Sequence, residues 1–139
     1  MAHLFLNGGG MRDGPVHHEL QGAPLVAETR TAPRYRFYSV RDEFPALWPV
    51  EDGGVAVAGE LYDVPLDVMR EHLLPAEPAE LELSVIQLED GSSCLAFVLR
   101  ADVHRLGRGL VDISGYGGWR AHQAASARTL TPGATDDPV

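Results

Sequence analysis

Hydrophobic and polar positions change period several times along the chain, and each change marks an element. Leu4 to Leu6 is a short apolar run that passes into Gly8, Gly9 and Gly10, then Pro15 and a segment of at most two helical turns closed by Gly22. This reads as strand, loop, helix. Pro24 to Thr31 alternates as a strand, and Pro33 resets the backbone. In Arg34 to Val40 a period of two puts Arg34, Arg36, Tyr38 and Val40 on one face and Tyr35, Phe37 and Ser39 on the other. Arg41 to Asp52 reads as loop, with Phe44, Pro45, Leu47, Trp48 and Pro49 covering one end of a core.

Val55 to Val64 is a long strand candidate broken at Gly59, where a bulge or a close backbone approach is expected. Pro65 suits the first position of a helix over Leu66 to Leu73, with Leu66, Met69 and Leu73 on one stripe, and Pro75 and Pro78 end it. Glu80 to Leu88 alternates, Asp90-Gly91 signals a hairpin, and Ser93 to Arg100 returns. A turn of helix over Asp102 to Leu106 precedes the glycine-rich stretch Gly107 to Gly118, and a helix starts at Trp119 and runs to about Ala127. Residues 129–139 are small, polar and acidic, so a disordered tail is expected there. Five or six strands with short helices imply an α+β domain over residues 1–128, built on a mixed sheet or small barrel.

Composition narrows the function. With 20 acidic and 11 basic residues the net charge is −9, which disfavours nucleic acid and anionic membranes as partners. The single Cys94 permits no internal disulfide and reads as a buried small hydrophobe. No apolar run approaches the ~20 residues of a membrane span and no leader pattern opens the chain, so a cytoplasmic protein is expected. Six scattered histidines, with Glu71-His72 lacking the rest of a zinc motif, give no metal site, and no cofactor is implied.

The candidate chemistry starts at the glycine loop. Backbone amides there suit a small anion or carboxylate, and Arg12 adds a guanidinium that can grip one with two hydrogen bonds. The spacing is neither a dinucleotide loop nor a P-loop. Arg34 and Arg36 suit either an anion clamp or a solvated strand face. Glu77 and Glu80 lie in an acidic, proline-rich stretch after the helix, either exposed or, in an apolar cavity, poised for proton transfer.

Two resemblances complete this reading. The opening loop resembles the N-terminal signature of the γ-glutamylcyclotransferase-like fold, with Phe5, Gly8, Arg12, Pro15 and His18 in matching places. Asn7, Gly9 and Gly10 stand where that family has Tyr, Thr or Ser, and Leu. Asp112-Ile113-Ser114, Gly117-Gly118-Trp119-Arg120 and Thr31-Ala32-Pro33-Arg34-Tyr35-Arg36 resemble motifs of the allophanate hydrolase C-terminal domain, which has the same fold. The resemblance implies a mixed small β-barrel with short flanking helices and covers the chain to about His122.

In allophanate hydrolases that domain follows an amidase domain and promotes decarboxylation of N-carboxycarbamate. No amidase portion is visible here, so a stand-alone relative is expected, with an amidase or a ligase encoded nearby as its partner. The family's loop histidine is replaced by Gly10, with His17 and His18 a few residues on. Cyclotransferases use a glutamate just after the first main helix as general base, which implies Glu77 as catalytic residue and Glu80 as second choice. Substrate binding is expected from Asn7, Gly8, Gly9, Gly10, Met11, Arg12, Arg36, Tyr38 and Arg120, the last holding a carboxylate or pinning the C-terminal helix through Asp112. The functions implied are an enzyme on a small carboxylate such as N-carboxycarbamate, a γ-glutamylamine cyclotransferase, or a non-catalytic ligand-binding or partner module.

Overall fold

The structure, a computed structural model, describes the backbone of residues 2–136 and the side chains of residues 2–127. Eight strands carry the described residues: β1 Ala2–Leu6, β2 Leu25–Arg30, β3 Tyr35–Val40, β4 Phe44–Pro49, β5 Ala58–Val64, β6 Leu81–Gln87, β7 Ser93–Leu99 and β8 Leu110–Asp112. Helix α1 spans 66–76, α2 is Ala101–Leu106 and α3 is Trp119–Asp136, with 3-10 turns at His17–Leu20 and Ser114–Tyr116. Where a tail from Thr129 is expected, the described backbone is helical to Asp136, and 137–139 lie outside the described residues.

The strands order as β2-β5-β1-β7-β4-β3-β8, with β6 also on β7. Strand β6 is antiparallel to β7 along its whole length, while β1 and β4 both run parallel to it, β1 at Leu95 and Ala96 and β4 at Val98. Thus β1 and β4 follow one another along a single edge of β7. A bridge between Thr31 and Leu88 brings the far end of β6 back to the chain after β2, curling the sheet into a half-barrel. This is the α+β, γ-glutamylcyclotransferase-like mixed barrel with short flanking helices that the resemblance implies. The core fills its concave side with Leu4, Phe5, Phe37, Leu47, Val57, Tyr62 and Val64, all essentially inaccessible.

Three local readings are corrected. Residues 44–49 form a central strand rather than loop, despite Pro45 and Pro49. Those prolines pair with Ser39 and Tyr35, whereas the Val50 N–H donates to Arg34 O at 2.9 Å, so the ladder to β3 runs through the even-numbered residues. The missing donors therefore fall on the side away from β3, where β7 pairs only at Leu47. Glycine-rich 107–118 contains β8, an edge strand on β3. Helix α1 passes through Pro75 to Ala76, because over Met69–Leu73 the turn widens and the Leu74 N–H donates five residues back, to Met69 O. The wider turn makes room for the proline ring.

Burial also sorts the faces. Tyr35 and Phe37 point into the core from β3, with Arg36 and Tyr38 on its outer side. Met69 and Leu73 of the α1 stripe are buried and Leu66 is exposed. On β6 it is Ile86 that is buried, while Leu83 and Val85 are exposed. The hairpin at Asp90-Gly91 forms as expected, with Ser92 donating its N–H and hydroxyl to Asp90 Oδ1 at 2.9 and 2.6 Å. No described helix is long and apolar enough to cross a membrane.

Candidate active site

Because β1 ends at Leu6 and β4 begins at Phe44 on the same edge of β7, the sheet leaves a gap above Phe97. The chain leaving β1 turns there through Asn7 and the three glycines. Gly8 is required by contact: a Cβ on it would lie 2.6 Å from Pro45 Cδ. The loop carbonyls are all engaged, Gly8 O by the Met11 N–H at 3.1 Å, Gly9 O by the Val16 N–H at 3.1 Å, and Gly10 O by His17 Nδ1 at 2.9 Å. The N–H groups of Gly9 and Gly10 have no acceptor among the described residues.

This loop forms one wall of a cavity of about 210 Å³. Phe44, Pro45 and Phe97 form its floor, Glu77 and Pro78 a second wall, and Trp119 and Gln123 of α3 a third. Glu77 comes to this wall because it precedes Pro78, which holds it extended at φ −79 and ψ 143, off the end of α1. Its carboxyl has no hydrogen-bond partner among the described residues, and burial pushes it up to about 7. Asn7 is 8% exposed, and its side-chain amide likewise has no partner among the described residues. The cavity thus holds an unpaired carboxyl that changes charge near neutrality, an unpaired amide and free backbone donors.

The other expected site residues are placed elsewhere. Arg12 donates its backbone N–H to Glu60 Oε1 at 2.8 Å and its Nε to Oε2 at 3.0 Å, and its Nη2 pairs with Glu28 at 3.1 Å. The Tyr62 hydroxyl adds a third donor to Glu60 at 2.8 Å, and Arg120 Nη1 lies 3.5 Å away while its Nη2 donates to Arg12 O. Arg120 therefore pins α3 through Glu60 and the Arg12 carbonyl, not through Asp112. Met11 is buried on this side of the loop and does not line the cavity.

Arg36 lies on the outer face of β3, held by Asp112 Oδ2 at 2.9 Å and Gly53 O at 2.7 Å. Tyr38 packs edge-on to His104. Glu80 is bound by Arg41 and lines no part of the cavity. His17 Nδ1 meets Gly10 O and His18 lies 3.7 Å from Glu19, and neither lines the cavity. Of the residues expected at the site, the structure brings Glu77 together with Asn7, Gly8, Gly9 and Gly10.

Glu60 was not among those residues. Its signal in the sequence is a carboxylate inside the apolar run Val55 to Val64, where only a paired charge is tolerated. Burial alone would push the Glu60 carboxyl up; the Arg12 N–H, the Tyr62 hydroxyl and the Arg12 guanidinium outweigh it and hold the group below its ordinary value.

The family model of the allophanate hydrolase C-terminal domain matches residues 2–124. The chain belongs to this family. It is 27% identical over 126 residues to urea amidolyase of Saccharomyces cerevisiae, which covers 86% of this chain and 7% of that protein. Among solved structures, a uropathogenic E. coli-specific protein superposes with a TM-score of 0.81 at 33% identity, covering 88% of this chain and 95% of that one. Allophanate hydrolase of Kluyveromyces lactis superposes with a TM-score of 0.82 at 25% identity, covering 89% of this chain and 21% of that one. The chain thus spans a small part of the large enzymes it resembles.

Proposed function

We propose that the chain is a small-molecule enzyme in which Glu77 donates a proton to the nitrogen of an N-carboxy substrate as carbon dioxide leaves. The observation that carries this reading is the half-buried, unpaired Glu77 carboxyl, pushed up to about 7 where it lines a cavity together with Gly9 and Gly10. In the step, the C–N bond to the carboxylate breaks, its electron pair takes the Glu77 proton, and the products are CO₂ and the free amide or amine. A carboxyl that is still protonated near neutral pH suits that donation, and the Gly9 and Gly10 N–H groups suit the carboxylate. The substrate would be supplied by an amidase reaction.

Glu77 after the first main helix also favours a second reading, a cyclotransferase in which it is the base. The limb of the pH profile separates the two. As an acid, Glu77 makes kcat/KM fall as pH rises through about 7; as a base it makes kcat/KM fall as pH drops through the same value. Glu77→Gln abolishes turnover in either case while ligand binding persists, and full turnover in that variant removes both readings.

A further inference from the structure

One nitrogen at the base of α3 is sealed away from every partner. The His122 side chain is 12% exposed and points its Nε2 at Asp42 Oδ1, 3.1 Å away in the turn between β3 and β4. A carboxylate only accepts, so Nε2 carries the proton and Nδ1 of the neutral ring carries none. Nδ1 is enclosed and has no hydrogen-bond partner among the described residues. The imidazole packs against two rings, Tyr116 edge-on at 5.2 Å and Trp119 tilted at 5.3 Å.

An imidazole takes its second proton between about pH 8 and pH 5. Here that proton has to go on Nδ1, where it makes a buried, charged donor with no acceptor, and such a group costs more to bury than a neutral one. His122 is also the fourth residue of α3, in its first turn, where the helix N-terminus opposes positive charge. Against this stands one carboxylate. The Asp42 side chain is 74% exposed, so its attraction is screened and contributes little. Tyr116 and Trp119 present uncharged rings. Arg41, beside Asp42, is turned to Glu43 and Glu80, and Arg120 to Glu60 and the Arg12 carbonyl. The enclosed ring has no place for a second proton.

We propose that His122 is a pH-sensitive latch for α3: once protonated, its ring leaves the enclosure beside Tyr116 and Trp119, and the helix is released from His122 onward. Arg120 keeps its hold on Glu60 and on the Arg12 carbonyl and acts as the pivot. Trp119 therefore stays in place, while Gln123 swings away from the cavity wall it helps to form. The site is closed along this wall at neutral pH and opens on acidification. The latch does not depend on the role of Glu77.

Hydrogen exchange on the whole chain at pH 8 and pH 5, with each rate referred to the intrinsic rate at that pH, tests this without a substrate. Protection of the α3 amides of residues 123–127 is expected to fall at least about tenfold at pH 5, while that of β7 does not fall. Glu77 cannot produce this change, because its proton stabilises the native state as pH drops, so Glu77→Gln should show the same fall in α3. His122→Phe keeps a ring that does not titrate, and His122→Gln keeps a donor for Asp42; in both, α3 protection should be the same at the two pH values. Equal α3 protection at pH 8 and pH 5 in the wild type, a fall of the same size in either His122 variant, or a fall shared by β7 overturns the inference.

Discussion

Gly59 lies where β5 passes the end of β1, and a Cβ on it would sit 2.4 Å from Leu6 O and 2.5 Å from Phe5 Cζ. Both neighbours are buried and central, Leu6 at the last residue before the glycine loop and Phe5 in the core, so neither has room to give. Gly59→Ala should therefore cost about 3 kcal/mol, at the upper end of what overpacking costs, and appear as a lowered Tm in thermal melting. A loss under about 1 kcal/mol would mean that the strands separate easily there. The close approach is legible in the sequence as a glycine interrupting an otherwise continuous strand. Asn7 and Glu77 are legible only by resemblance, since the residue types alone fit an exposed turn and an acidic loop equally well.

Among the elements, the glycine loop, β5 and α3 are joined at one carboxylate. Glu60 holds the loop by the Arg12 backbone and guanidinium and reaches Arg120 on α3. Its own side chain is 2% exposed, so removing it takes the acceptor from the Arg12 backbone N–H and Nε, from Arg120 Nη1 and from the Tyr62 hydroxyl, while Arg12 keeps Glu28. Glu60→Ala should cost about 3 kcal/mol at neutral pH and speed hydrogen exchange across residues 8–14. Its folded pKa is depressed, so its contribution is present above the ordinary value of 4.5 and is lost as pH falls through the folded one. The difference in stability between wild type and Glu60→Ala should shrink on acidification, and a difference independent of pH would sink the ion-pair account. Strands β4 and β8 are not legible in the local sequence for a related reason. Prolines and glycines mark loops on average, but Pro45 and Pro49 are tolerated where only the ladder toward β7 loses a donor, and that depends on a pairing partner fifty residues away.

At the scale of the whole molecule, the strand pattern and two motif matches indicate the barrel, but not where it opens. The cavity exists because β1 and β4 share one edge of β7 and part above Phe97, a consequence of register that no local pattern carries. The same reason separates the arginines from the site: Arg12, Arg36 and Arg120 each meet a carboxylate distant in sequence, Glu60 or Asp112, and are spent on holding the fold. With the cations so used in a chain of net charge −9, the half-buried Glu77 carboxyl is left without a partner among the described residues, and the stability of the whole protein should report it. Glu77 has a folded value of about 7 against an ordinary 4.5, so between those two values the native state binds a proton that the unfolded chain does not. Stability must then fall as pH rises through that window and level off above it. Glu77→Gln removes this slope, so its Tm relative to wild type should be higher at pH 8 than at pH 5. A Tm difference that does not change between these pH values would show Glu77 to be solvated, and the proton donor of the proposed reaction would go with it.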